Sequence, residues 1–381
     1  MGLVGRSVSK RKALVVLLLA TATAIAGFVA WMYLESAGPA PKWVIQVDGD
    51  FVRDMEFSPD GRSCAVCTRE TKFDANGQEA IRVYDLVKAH LVFEARDQGS
   101  RCSWNRSGTC LATTATDRGR VSLWDPQTWK RLHELKLDRP RPPAMFETNG
   151  ICFDKADNLY TSGIARLQDI IPGGVFQPLV WWNPIAHPNE LPSVIGTRNT
   201  WPFSLSAGGD STKTRVAVSY EDSRSAHGSI IEVFEITNAL DGPGRIQKAF
   251  VVEENVGKGG VCWVQLSGDG NTLAVLGTTG LWVLQVFSDH ATVVLKRLRG
   301  KERAFVHFSL KFLDLPYDGR FVAYTWPEPD SATEVLRVGN GQTVLHVRRG
   351  GGATIAISAD GRLLALSDQR SASVCFYEVP Q

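Results

Sequence analysis

The chain has 381 residues, 44% of them hydrophobic and 22% charged, with 35 Gly and 18 Pro, a globular composition with the turn supply of many short strands. This excludes a largely disordered chain. The formal charge is only +2, and four of the cations, Arg6, Lys10, Arg11 and Lys12, precede residue 13, so the remaining chain is slightly acidic. That excludes bulk nucleic-acid binding, which needs an excess of Lys and Arg to displace phosphate counterions.

Residues 1–12 form a basic segment without acids. Ala13 to Leu34 is an uncharged run of 22 residues, long enough at about 1.5 Å per residue to cross a hydrocarbon core of ~30 Å. It is expected to be a transmembrane signal-anchor helix at 13–34, with Trp31 and Tyr33 at its headgroup end and the preceding cations holding the N-terminus in the cytoplasm. A cleaved secretory signal is the competing reading, because Ala22-Thr23-Ala24 and Ala24-Ile25-Ala26 have the small-residue form of a cleavage site. Either way the body is exported. Residues 35–42, with Pro39 and Pro41, read as a short stalk. The expected location is therefore a single-pass inner (plasma) membrane, with the body on the periplasmic or extracytoplasmic side.

From residue 43 onward a pattern repeats. An apolar strand end runs into a tight turn, then a second apolar run, most plainly at Phe57-Ser58-Pro59-Asp60-Gly61-Arg62 and Ile357-Ser358-Ala359-Asp360-Gly361-Arg362. Weaker copies lie at Trp104 to Gly108, Phe153 to Asp157, Leu205 to Asp210, Leu266 to Gly270 and Leu315 to Gly319. Spaced roughly 40 to 60 residues apart, they have the period of four short strands per unit, and such units bury their faces only by stacking. Third strands end on an aromatic before an acid or amide, as in Val83-Tyr84-Asp85, Leu123-Trp124-Asp125, Trp181-Trp182-Asn183, Val233-Phe234-Glu235 and Phe376-Tyr377-Glu378. The last unit stops after its third strand at Val379, whereas Lys42 to Val47 is a lone strand ahead of the first turn, so the N-terminal strand is expected to complete the last sheet and remove its open edge. The expected fold class is all-β: a seven-bladed β-propeller of four-stranded antiparallel blades at 43–381, preceded by one transmembrane α-helix.

Residues 43–381 resemble the WD-repeat β-propellers, although the Trp-Asp pair is complete only at Trp124-Asp125 and no Gly-His dipeptide opens a repeat. The resemblance is to a degenerate member and implies a propeller, while no particular partner carries over.

Seven cysteines, Cys64, Cys67, Cys102, Cys110, Cys152, Cys262 and Cys375, are mostly in apolar strand-like stretches and read as buried thiols. Cys64 and Cys67 lie three apart on one strand and face opposite sides. Cys102 and Cys110 flank the Ser107-Gly108 turn on paired strands and are the candidate disulfide of an exported body. The seven histidines never pair at metal-binding spacing, and no catalytic elbow, phosphate loop or dinucleotide fingerprint is present, so no catalytic residue, metal or cofactor is assigned.

Loop length remains. In a propeller the second-to-third-strand loops and the between-blade loops share one face, and the tight Asp-Gly turns lie on the other. The long loops Thr68 to Ala80, Gly163 to Gln177, Ser219 to Gly228 and Thr325 to Thr333 belong to the first face, and the second of them carries the apolar Ile170, Ile171, Pro172 and Phe176. Between-blade loops add Arg139, Arg141, Lys258, Arg299, Lys301, Arg303, Arg348 and Arg349 against Glu253, Glu254 and Glu302. The candidate partner-binding set is Arg139, Arg141, Lys258, Arg299, Arg303, Arg348 and Arg349 with Phe176, Trp201 and Trp326, for a protein partner or an anionic ligand. Solvated loops and interblade packing are the plain alternative. The expected function is a membrane-tethered, non-catalytic scaffold that binds through this face. The alternative is a propeller-type hydrolase or lactonase with its site in the central channel, for which similar folds give precedent.

Overall fold

The structure is a computed structural model. It describes residues 39–47, 51–69, 79–115, 120–136, 146–166, 175–182, 193–198, 201–210, 212–222, 228–239, 242–252, 263–298, 311–326, 332–348, 354–368 and 372–381, together with Thr21, Thr23, Ile25 and Gly27, which are helical. The chain divides into two units, Met1–Ala40 and Pro41–Gln381.

In the second unit the tight turns set the architecture. Ser58 receives the Gly61 N–H on its carbonyl at 2.8 Å and the Ser63 N–H on Oγ at 2.9 Å, while its hydroxyl donates to Asp60 at 2.6 Å. The Ser267 and Ser358 turns are built alike. Gly61 and Gly361 each have φ 69°, a left-handed conformation that costs glycine little and a Cβ-bearing residue more. In the third repeat Asp157 takes that position at φ 61° without being glycine.

Between turns, β-branched and aromatic runs form strands that pair antiparallel into seven four-stranded sheets. Each sheet begins on an inner strand: Phe51–Phe57, Arg101–Trp104, Phe146–Phe153, Trp201–Gly209, Trp263–Leu266, Leu313–Asp314 and Ile355–Ile357. Neighbouring inner strands touch in chain order, and Ile355–Ile357 touches Phe51–Phe57 in turn, so the sheets close a ring. Seven clusters of buried apolar residues fill the seams. One joins Met55, Phe57 and Cys64 of the first sheet to Ala365 and Phe376 of the last, and another joins Cys67 and Val83 to Cys102 and Leu111.

The last sheet is completed by the N-terminal strand. Trp43–Gln46 pairs with Ser373–Glu378 in the register Trp43↔Phe376, Val44↔Cys375, Ile45↔Val374 and Gln46↔Ser373. The Lys42 N–H donates to the Phe376 carbonyl at 2.6 Å, the Val47 N–H to the Ala372 carbonyl at 2.9 Å, and the Trp43 and Phe376 rings stack at 5.5 Å. Lys42 also pairs with Glu378.

The expected fold class is corrected in its helical part. Among the described residues no helix is long and apolar enough to cross a membrane, so the described propeller is all-β and the expected transmembrane α-helix is without support. Most of the run 13–34 lies outside the described residues. The expected disulfide is corrected as well. Cys102 and Cys110 are both free thiols, in two different seam clusters, and Cys102 neighbours Cys67 instead. The turn between them sends their side chains to opposite faces of the second sheet. Burial pushes the Cys110 thiol up to about 12 and raises those of Cys64 and Cys67, so these are packing groups and not nucleophiles.

Candidate functional site

The inner strands enclose a polar channel, and the reason lies in their exposed edge. Each inner strand pairs on one side only, so N–H groups on its other side need acceptors. The preceding sheet supplies them. Asp54 Oδ2 accepts the Cys102 N–H at 3.2 Å, and the Glu56 carboxylate accepts the Trp104 N–H, so two acids at alternate positions serve two amides at alternate positions. Ser204 Oγ and Ser206 Oγ do the same for the Val264 and Leu266 N–H groups at 3.2 and 2.9 Å. Asp314 Oδ2 accepts from Ile357 N–H at 2.8 Å. Thr354 reverses the direction and donates its hydroxyl to the Val52 carbonyl at 2.9 Å, closing the ring on the first sheet.

One cation answers the acids. Lys311 Nζ lies 3.2 Å from Asp314 Oδ1 and 3.4 Å from the Met55 carbonyl, reaching from the sixth sheet towards the first. Burial pulls its ammonium down, but Asp314, Asp54 and Glu56 outweigh that and hold it above the usual lysine range. Glu56 behaves oppositely. Burial, reinforced by Asp54 and Asp314 and opposed by Lys311, pushes its carboxyl up to about 8, so it is mostly protonated at neutral pH.

Two cavities follow the channel. The middle one, about 100 Å³, is lined by Asp54, Glu56, Arg101, Ser103, Gln265 and Lys311 among others. The second, about 180 Å³, lies at the tight-turn mouth, where Arg106, Lys155 and Tyr317 join Glu56 and Lys311. The turns around that mouth hook onto one another: Gly209 N–H donates to the Gly268 carbonyl at 3.0 Å, Gly268 N–H to Tyr317 at 2.8 Å, and Tyr317 N–H to Ala359 at 3.3 Å. Gly268 cannot carry a side chain here, because a Cβ would fall on the Tyr317 ring. Among the described residues no group of three His, Cys, Asp or Glu is placed to hold a metal ion.

The residues expected to bind a partner are mostly not brought together by anything described. Arg139, Arg141, Lys258, Arg299, Arg303 and Arg349 lie outside the described residues. Arg348 is exposed just after the strand Thr343–Val347, on the connection to the next inner strand. Phe176 sits inside the strand Val175–Trp182, opposite Ala165, and not in a loop, because pairing extends further than the alternation suggests. Trp201 opens an inner strand, paired with Glu221. Trp326 is partly buried, edge-on to Tyr324 at 5.4 Å, and packs against the seam of the fifth and sixth sheets. The channel residues Asp54, Glu56, Lys311 and Asp314 were not among the sequence candidates. The signal for Asp54 and Glu56 was present as charge alternating with Met55 and Phe57 along one strand, but alternation does not say which face a ring turns inward.

No family model matches the chain, and no curated protein does. Among solved structures, the β-propeller domain of Myceliophteria thermophila Cps50 (Swd1) is similar with a TM-score of 0.62 and 13% identity, over 89% of this chain and 100% of that one. The fold is a β-propeller. The Kuenenia stuttgartiensis hydrazine synthase is similar at a TM-score of 0.61 and 12% identity, over 88% of this chain and 97% of that one. At such identities the likeness concerns the fold alone. The propeller's third strands retain the polar closure seen in sequence: Trp124 Nε1 donates to Thr113 Oγ1 at 2.9 Å, and Asp125 receives the Gln127 N–H and the Thr128 hydroxyl, which hold its carboxyl below the usual range.

Proposed function

We propose that the protein is a non-catalytic propeller scaffold, a degenerate WD-repeat protein tethered to a membrane through the apolar run at 13–34, with the propeller on the extracytoplasmic side. It binds a protein partner or anionic ligand through the face carrying the between-blade loops. The carrying observation is how the channel's polar groups are used. Asp54, Ser204, Ser206 and Asp314 accept amides of the next sheet, and Lys311 is engaged by Asp314 and a carbonyl, so the channel chemistry goes into holding the ring. A rigid ring with its charges so engaged serves as a platform, and its loops are left to recognise partners.

The test is charge reversal on the loop face in intact membranes. Changing Arg299, Arg303, Arg348 and Arg349 to Glu is expected to slow association with a crosslinked partner, and added salt to mimic the change. Capture that is undiminished by the variant and equal at low and high salt would overturn the basic-face assignment. A reporter fused after Gln381 is expected to work only outside the cytoplasm, and activity inside would overturn the topology.

One observation favours a second reading, a channel hydrolase or lactonase. Glu56, pushed up to about 8 beside Lys311, has the protonation state of a general acid at neutral pH. Turnover of simple esters or lactones that Glu56→Gln abolishes, in a variant still folded, would move the function there.

A further inference from the structure

The tight-turn mouth of the channel has a different electrostatic character from its middle. Three carboxylates border it, but two are already engaged. Asp154 Oδ1 receives the Ala156 and Asn158 N–H groups, and Oδ2 receives Asn158 Nδ2, the Tyr160 hydroxyl and the Thr214 hydroxyl at 2.7 to 3.0 Å. Asp314 is held by Lys311 and the Ile357 N–H. The third, Glu56, is mostly neutral near pH 7.

The cations at this mouth are less well matched. Arg106, on the turn of the second sheet, lies across the channel with its guanidinium carbon 3.2 Å from the centre of the Tyr317 ring, on the turn of the sixth. It makes no ion pair among the described residues, and its Nη1 is buried with no hydrogen-bond partner. A buried guanidinium nitrogen without an acceptor is costly, and the rest of the half-buried Arg106 side chain lines the cavity of about 180 Å³. Stacking on Tyr317 occupies one face of the guanidinium and fixes its plane, which leaves acceptors to approach in that plane, along the N–H edge. Lys155 stands exposed at the rim of the same cavity and, among the described residues, has Asp210 as a longer-range charged neighbour.

We propose that the tight-turn mouth of the channel is a binding site for a small carboxylate, which accepts from the N–H edge of Arg106 on its Tyr317 shelf and is steered by Lys155. A planar carboxylate matches the planar N–H fork of a guanidinium. A phosphate dianion fits less well, because it brings both charges on one head group against Asp154 and Asp314, whereas a dicarboxylate places a single charge at the guanidinium and its second several ångströms away, towards the Lys155 rim. The site lies on the face opposite the between-blade loops, so it is independent of the partner-binding reading.

The experiment is calorimetric titration of the full-length protein with succinate and, separately, with inorganic phosphate. Succinate is expected to show one saturable site. Arg106→Met, which keeps the packing over Tyr317 but removes the charge, is expected to weaken it about ten- to a hundredfold. Lys155→Glu, at an exposed position that leaves the fold alone, is expected to weaken it severalfold and in a salt-dependent way. Melting curves of both variants separate lost binding from lost folding. If Arg106→Met does not fold, Lys155→Glu decides, and undiminished binding by that variant overturns the site. Absence of saturable succinate binding by the native protein, equal binding by a folded Arg106→Met, or phosphate bound in preference to succinate would each overturn the proposal.

Discussion

Two seams of the ring solve one problem with different chemistry. Between the first and second sheets, the amides of Cys102 and Trp104 are met by the carboxyl groups of Asp54 and Glu56. Between the fourth and fifth, the amides of Val264 and Leu266 are met by the hydroxyls of Ser204 and Ser206. The spacing is the same, alternate residue to alternate residue, because both are set by the two-residue repeat of a strand. A hydroxyl seam is indifferent to pH. A carboxyl seam brings charge into the channel, requires Lys311 as a counterweight, and makes the ring's stability depend on protons.

Opening the ring is the severest way to break this comparison, since each seam needs its neighbours in place. Deleting residues 1–48 removes the Trp43–Gln46 strand, which deletion of 1–40 leaves intact. Loss of the ladder, of the buried Ile45 and Val47 and of the partly buried Trp43 is expected to cost on the order of 5 kcal/mol. Denaturant midpoints measure it, and equal midpoints for the two truncations would show that the ring is held elsewhere.

Within an intact ring, Asp54→Ala is expected to cost about 2–3 kcal/mol by chemical denaturation, because it leaves the buried Cys102 amide without its charged acceptor. If Ser206→Ala costs as much, the two seams are equivalent and their chemistry is incidental.

Glu56 sharpens the difference through pH. Its folded carboxyl titrates near 8 against 4.5 for the ordinary group, so between those values the unfolded chain has released a proton that the folded one keeps. Stability conferred by the protonated carboxyl is present below about pH 4.5 and is lost as pH rises towards 8. Since the side chain is only half-buried and faces the channel, the loss is expected to be on the order of 2 kcal/mol after allowance for solvent screening. Glu56→Gln is expected to flatten that slope between pH 5 and 8, and an unchanged slope would assign it to other groups.

The smallest effect belongs to the hydroxyl seam. Ser206→Ala is expected to cost about 1 kcal/mol with no dependence on pH over the same range. A pH-dependent loss there would mean that protons reach the neutral seam by some route other than its own side chains.

The turns were legible in sequence because Ser-Pro-Asp-Gly and Ser-Ala-Asp-Gly carry their geometry locally, in a hydroxyl, a carboxylate and a glycine within four residues. The clasp was legible by counting, since the last repeat lacked a strand and the first had one to spare. The seams were not. Asp54 and Glu56 alternate visibly with Met55 and Phe57, but their partners at Cys102 and Trp104 lie one sheet away, and no local rule joins them. Cys102 and Cys110 misled for the same reason: closeness along the chain suggested a bridge, whereas their side chains belong to the seams on either side of their sheet. Of the loop-face candidates, Arg348 alone among the basic ones lies within the described residues.

The clasp also has a consequence in time. A ribosome delivers Trp43–Gln46 before the other six sheets, and its partner Ser373–Glu378 after them. Six sheets have all four strands as soon as they emerge, but the seventh waits for those six. During that interval the first strand is an unpaired edge with Trp43 and Ile45 uncovered, a natural place for a chaperone to hold the chain or for another chain to pair with it.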